Sequence, residues 1–231
     1  MSHKVHPKAF RIKGTNDWLS RGFYEKKFAS YLKEDFKIRE YLKNKIGKLG
    51  VEKIEIERSP GKINLIISTA RPGLIIGRGG GGIEELKREL EEKILKEKIP
   101  SGESKQKVSA KGRMADKSEL RIEIREVKNP WISAPLVAQW MVGQIEKRMP
   151  FRRVLKQTLS KVMSQKGVEG TRVEVSGRLD GVQVSRKEWL KKGRLPRQTI
   201  RADIDYAQDR AYCTYGVVGI KVWIYKGETF E

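Results

Sequence analysis

The sequence of 231 residues holds a single cysteine, Cys213, which rules out an internal disulfide framework and fits a reducing cytoplasm. No basic residue or histidine stands within two positions of Cys213 to favour a thiolate. No apolar run approaches the roughly 20 residues that a membrane-spanning helix needs. The opening Met1-Ser2-His3-Lys4-Val5-His6-Pro7 has no apolar core, so no secretory signal is expected. Histidine is almost absent; His3 and His6 are two ligands without a third, too few for a metal site. Neither Gly-Lys-Ser nor Gly-Lys-Thr occurs, which excludes a Walker A loop. No cofactor, metal or small-molecule substrate is therefore expected.

Acidic side chains are also scarce, with 29 Asp and Glu against 50 Lys and Arg, a net charge of +21. That excess favours polyanionic partners; a polybasic surface also suits anionic lipid, but nothing else in the sequence points to a membrane. The charge is uneven. Residues 1–50 carry 13 basic and 5 acidic side chains, residues 51–100 carry 10 and 9, and residues 141–201 carry 16 and 5. Two basic regions thus flank a nearly neutral one.

The first twenty residues mix Lys, Pro, Gly and Asn without a period and predict an extended basic arm. Phe23, Phe28, Tyr31 and Leu32 suggest a short helix; Asp35 then caps a second one, whose apolar side is Ile38, Tyr41, Leu42, Ile46 and Leu49. Ile54/Ile56 and Ile63/Leu65/Ile67 alternate around Ser59-Pro60-Gly61, which predicts a β-hairpin. After Arg71-Pro72 comes Ile76-Gly77-Arg78-Gly79-Gly80-Gly81-Gly82-Ile83, and Ile83, Leu86, Leu90 and Ile94 continue at helical spacing. Glycine costs roughly 1 kcal/mol against alanine inside a helix, so the glycines form a loop entering one. Bare backbone N–H groups at a helix start seat anions. The spacing Gly77-x-x-Gly80 is similar to the KH-domain signature, whose GXXG loop clamps a nucleic-acid backbone. Gly77, Arg78, Gly79 and Gly80 are its candidate binding residues. A polar, aperiodic stretch about 97–117 predicts a flexible insertion, and Leu120/Ile122/Ile124 a third strand.

Past Asn129-Pro130, Leu136, Val137, Trp140, Met141 and Ile145 make one helical face, and Phe151, Val154, Leu155, Thr158, Leu159 and Val162 another. Alternation follows at Val173/Val175, Ile200/Ala202/Ile204 and Ile220/Val222/Ile224. Helices followed by strands predict a second α+β domain. The fold class is α+β throughout: a basic arm and short helix at 1–34, a type II KH domain with a three-stranded sheet at 35–127, and at 128–231 a domain with two helices packed on a β-sheet.

Several segments together resemble the bacterial form of the small-subunit ribosomal protein S-three family. They are Lys4-Val5-His6-Pro7, Thr69-Ala70-Arg71-Pro72-Gly73, Pro150-Phe151-Arg152-Arg153, Glu174-Val175-Ser176-Gly177-Arg178-Leu179, Arg201-Ala202-Asp203-Ile204-Asp205-Tyr206 and the run Tyr215 to Ile224. The resemblance spans nearly the whole chain. It departs in a longer insertion near 97–117 and in lacking a basic tail after the last strand. It implies a non-enzymatic, cytoplasmic protein of the small-subunit head that binds small-subunit rRNA, touches neighbouring head proteins and lines the mRNA entry channel. It further implies that Arg152, Arg153 and Lys156 help to open structured mRNA.

Those three residues share a polar helical face by their i,i+3 and i,i+4 spacing, and no acid lies between Lys147 and Lys166. In a chain of this charge that face predicts RNA contact rather than simple solvation. Lys147 and Arg148 precede it. A second cluster comprises Arg178, Arg186, Lys187, Lys191, Lys192, Arg194, Arg197 and Arg201, with Trp189 among them as either a stacking platform or a partly buried anchor. Asp203 and Asp205, between Arg201 and Arg210, are expected to pair with arginine or a neighbouring protein. A free-standing KH regulator or rRNA-maturation factor is the alternative function. A nuclease or lyase would need a Lys or carboxylate centre that nothing singles out.

Overall fold

The computed structural model describes residues 5–12, 17–22, 28–92 and 119–230. The insertion expected at 97–117, with His3, Phe23 and Ile94, lies outside them. The chain divides into two compact units, one running from Leu19 to Glu126 and one joining the chain up to Trp18 with Val127–Glu231.

The first unit contains β1 (Ser20–Gly22), α2 (Phe28–Ile46), β2 (Val51–Ser59), β3 (Lys62–Thr69), α3 (Pro72–Ile76), α4 (Gly81–Leu90) and β4 (Glu119–Glu126), while α1 (Pro7–Phe10) belongs to the other unit. The sheet order is β1-β2-β3-β4. β2 and β3 form the expected hairpin, with Gly61 supplying a positive φ of 72° at the turn. β4 runs parallel to β3, and a parallel pair needs a long crossover connection. That connection carries α3, the glycine loop and α4. Ile38, Leu42 and Ile46 of α2, Ile75 of α3 and Leu86 and Leu90 of α4 bury against Ile56, Ile63, Leu65, Ile67 and Leu120 of the sheet.

Two expectations fail here. The two helices expected on either side of Asp35 are one, α2. Asp35 does not cap a terminus; it is buried and accepts from Arg58 Nε at 2.8 Å, while Glu34 accepts from Arg58 Nη1 at 2.9 Å. A paired, buried charge overrides the helix-start preference of aspartate. The sheet also has four strands rather than three. Ser20–Gly22 pairs parallel with Ile56–Arg58, and Arg39 fastens it by donating to the Leu19 and Ile54 carbonyls and the Ser20 hydroxyl.

The second unit contains α1 (Pro7–Phe10), α5 (Ala134–Glu146), α6 (Phe151–Met163), β5 (Gly170–Gly177), β6 (Arg186–Gly193), β7 (Ala202–Cys213) and β8 (Gly216–Glu228), in the antiparallel order β6-β5-β8-β7. α5 and α6 pack through Val137, Met141, Ile145, Phe151, Val154, Leu155 and Val162 onto Val173, Val175, Val218, Ile220, Val222 and Ile224. Ile204, Tyr206, Trp223 and Tyr225 form a smaller cluster on the opposite face of the sheet.

The N-terminal stretch is not extended over its described part. Pro7 starts a short helix that His6 caps through Nδ1, and Arg11, buried, donates to the carbonyls of Pro7, Arg197 and Thr199. Lys8 reaches Asp205 at 2.8 Å, and the His6 ring meets Tyr206 edge-on at 4.8 Å. Asp205 also accepts the Ala134 amide at the start of α5, at 2.7 Å. Its partners are therefore a lysine and a helix start rather than the arginines expected from its sequence neighbours. Ile200 falls before the strand expected to include it and is exposed.

Candidate nucleic-acid interface

The glycine loop is built by two kinds of glycine. Gly77 leaves α3 with φ 72°, and a side chain there would come within 3.1 Å of the Gly82 amide nitrogen. A Cβ on Gly82 would lie 2.5 Å from the Ile75 carbonyl oxygen, so the start of α4 crosses the end of α3 at a distance only glycine permits. Gly79 (φ 61°) and Gly80 (φ 85°) are different: a Cβ on either meets nothing within 4 Å. They turn backbone outward in the tight turn Arg78–Gly80, ahead of α4. Arg78 is exposed there, as are Arg71 and Leu74 on the approach. Lys45 of α2 braces α4 through Glu89 at 2.8 Å and Glu85 at 3.4 Å.

In the second unit α6 separates its residues as its spacing dictates. Phe151, Val154, Leu155, Thr158 and Val162 are buried; Arg152, Arg153 and Lys156 are exposed. Arg152 touches Glu188 only at 3.6 Å and keeps 70% of its side chain exposed. Arg153 and Lys156 make no ion pair among the described residues. Lys147 and Arg148 are exposed in the connection between α5 and α6, where Arg148 takes a positive φ of 60°.

The second basic cluster divides. Arg186, Lys187, Lys191 and Lys192 lie on edge strand β6, which no apolar alternation announces in the sequence. Lys187 is tied to Glu174 at 2.7 Å, and Arg172 donates to the same carboxylate at 3.0 Å. Burial pushes the Glu174 carboxyl up, but these two hydrogen bonds and charges outweigh it and hold its pKa below the ordinary value. Trp189 is 49% exposed and stacks over the Arg172 guanidinium at 4.1 Å, so it is anchored on one side and open on another. Arg178 donates to the Val182 and Tyr215 carbonyls, which makes it a clamp on a loop and the β7–β8 turn. Arg194, Arg197 and Arg201 are exposed beyond β6.

The structure joins what looked like separate clusters. Arg152 and Lys156 of α6 line one cleft with Glu188, Trp189 and Leu190 of β6, over Leu155. Sequence reasoning missed Glu188 and Leu190, which no alternation marks out in this segment. The Lys161 ammonium sits apart, 4.9 and 4.6 Å from the rings of Trp131 and Trp140. Burial and then Glu146 push the Cys213 thiol up, away from reactivity. No group of three metal-ligating side chains occurs among the described residues.

Two family models match: a KH domain over residues 37–132 and the C-terminal domain of ribosomal protein S3 over residues 141–224. Among curated relatives, a small ribosomal subunit protein uS3 of Maridesulfovibrio salexigens is 45% identical over 231 residues, covering 100% of this chain and 98% of the relative. Proteins of the same name are 44% identical in Caldicellulosiruptor saccharolyticus, covering 99% of this chain and 93% of that one, and 44% identical in Oleidesulfovibrio alaskensis, covering 100% and 98%.

Proposed function

This chain belongs to the uS3 family of small-subunit ribosomal proteins, and we propose that it binds small-subunit rRNA in the head and holds incoming mRNA on α6 at the entry channel. Membership makes it a non-enzymatic, RNA-binding constituent of the small subunit. Its place is on the ribosome, in the cytoplasm, beside other head proteins. The free-standing KH regulator is set aside because relatives of one ribosomal name match over the full chain.

The observation that carries the mRNA reading is the face of α6. Arg152, Arg153 and Lys156 stand exposed opposite a buried apolar side; among the described residues only Arg152 has an acidic neighbour, Glu188 at 3.6 Å, and Arg153 and Lys156 have no ion pair. Fixed cations on a rigid helix grip phosphates without a sequence preference. They hold separated strands while translocation supplies the work, so no nucleotide need be hydrolysed here. The GXXG turn, with Gly77, Arg78, Gly79 and Gly80, clamps a second RNA backbone, and Lys147, Arg148, Arg178, Arg186, Lys187, Lys191 and Arg194 add phosphate contacts.

Purified small subunits carrying Arg152→Ala, Arg153→Ala and Lys156→Ala test this. A message with a photoreactive uridine in its entering segment is expected to crosslink to this protein in wild-type subunits and to lose most of that yield in the variant. Unchanged crosslinking would remove α6 from the mRNA path.

A further inference from the structure

The cleft between α6 and β6 is an open groove with a volume of about 240 Å³, room for more than a single water. Its lining is chemically mixed in an informative way. Leu155, 2% exposed, and Leu190 on the neighbouring strand provide apolar surface; Arg152 and Lys156 provide cations; Glu188 provides a carboxylate. Glu188 lies 3.6 Å from both Arg152 and Arg186, so its charge is balanced while its oxygens keep room for a closer donor.

A bare phosphate or an acidic peptide side chain would gain nothing from the leucines and would have to compete with Glu188 for the cations. A nucleobase uses every part: an apolar face, an exocyclic amine that donates to a carboxylate, and phosphates on either side for the cations. We propose that this cleft seats one unpaired nucleobase of the RNA strand held by α6, with Arg152 and Lys156 on its flanking phosphates and Glu188 accepting from an amine on its edge. The proposal rests on the mRNA reading of α6 and adds to it a subsite that holds a base out of pairing and favours adenine and cytosine over uracil.

The test uses the full chain and fluorescence anisotropy with unstructured RNAs of about ten nucleotides, within the range that single-strand-binding folds cover. The probes are oligoadenylate, oligouridylate and an abasic strand of equal charge. Leu190→Trp fills the cleft without altering charge at a position already 36% exposed. Glu188→Gln keeps its shape and removes the charge.

The wild type is expected to bind oligoadenylate at least about fivefold more tightly than the abasic strand, the low end of what one stacked base contributes. Leu190→Trp should shrink that ratio several-fold while leaving abasic binding unchanged, and Glu188→Gln should shrink the preference for adenine over uracil. Equal ratios in the wild type and in both variants would overturn the proposal. So would an acidic peptide, decaglutamate, that binds the wild type and loses affinity in Leu190→Trp by the same factor. The triple alanine variant separates the underlying reading: if it binds the abasic strand as well as the wild type does, α6 is not a phosphate contact.

Discussion

The Arg172 guanidinium lies 4.1 Å from the centre of the Trp189 ring, one strand in from the edge of the second sheet. On its other side is Trp223 at 5.6 Å, and it donates to Glu174 at 3.0 Å. Trp223 in turn contacts Tyr206, and Tyr206 the His6 ring. A continuous row of cation and rings therefore crosses the face opposite the helices, from edge strand β6 to the N-terminal stretch. It fastens at both ends.

Glu174 gives this row an acid limit. Its carboxyl is buried, and Lys187 and Arg172 hold its pKa below the ordinary 4.5. A carboxylate depressed in the folded state contributes its full stability above the unfolded value and loses it as pH falls through the folded one. The second unit is expected to destabilise below about pH 4.5, and Glu174→Gln to flatten that limb. Thermal melts from pH 6 to 3 check it.

His6 works in the opposite chemical sense at the other end. Burial, with Lys8 nearby, lowers its pKa from 6.5, so the neutral ring is the docked form. For a base shifted down, docking is strongest above pH 6.5 and weakens as pH falls through that value. The Ala9 amide, which donates to His6 Nδ1 at 3.4 Å, should exchange with solvent more readily at pH 5 than intrinsic rates require. His6→Gln should abolish that dependence.

The glycines of the first unit should part company on mutation. Gly79 and Gly80 to Asp places two residues in left-handed backbone at a cost of about 1 kcal/mol each, within the 5–15 kcal/mol of an ordinary domain. The fold should survive, and single-strand RNA affinity should fall because carboxylates now face phosphate. Gly82→Ala meets carbonyl oxygens at 2.5 and 2.9 Å and should destabilise by about 1–3 kcal/mol or more. Circular dichroism melts and filter binding together distinguish the two outcomes.

The net charge of +21 predicts steep salt dependence. A protein that neutralises six or more phosphates loses on the order of 10³-fold in affinity between roughly 50 and 200 mM salt. A nearly flat titration of full-chain binding to rRNA fragments would mean that stacking, not charge, leads recognition.

Much of this was legible in the chain. The β2–β3 hairpin, the loop at Gly77–Gly80 and the sidedness of α6 follow from period and glycine placement, which are local properties. What escaped depends on distant partners. Asp35 reads as a cap until Arg58 is brought beside it from β2, and Asp205 reads as an arginine partner until Lys8 and Ala134 arrive. Strand β6 hid for a different reason. An edge strand exposed at nearly every position needs no apolar alternation, so Glu188 and Leu190 carried no signal of a cleft.

The proposed role of α6 is to grip structured mRNA as it enters. Replacing Arg152, Arg153 and Lys156 with alanine leaves Val154, Leu155 and Val162 packed and keeps a strong helix former at each position, so subunits should assemble. The direct measurement is elongation rate by purified variant ribosomes on paired messages that differ only in a stable hairpin. Slowing on the hairpin message with near-normal reading of the unstructured one is the predicted result. Equal slowing on both, or none on either, would contradict it.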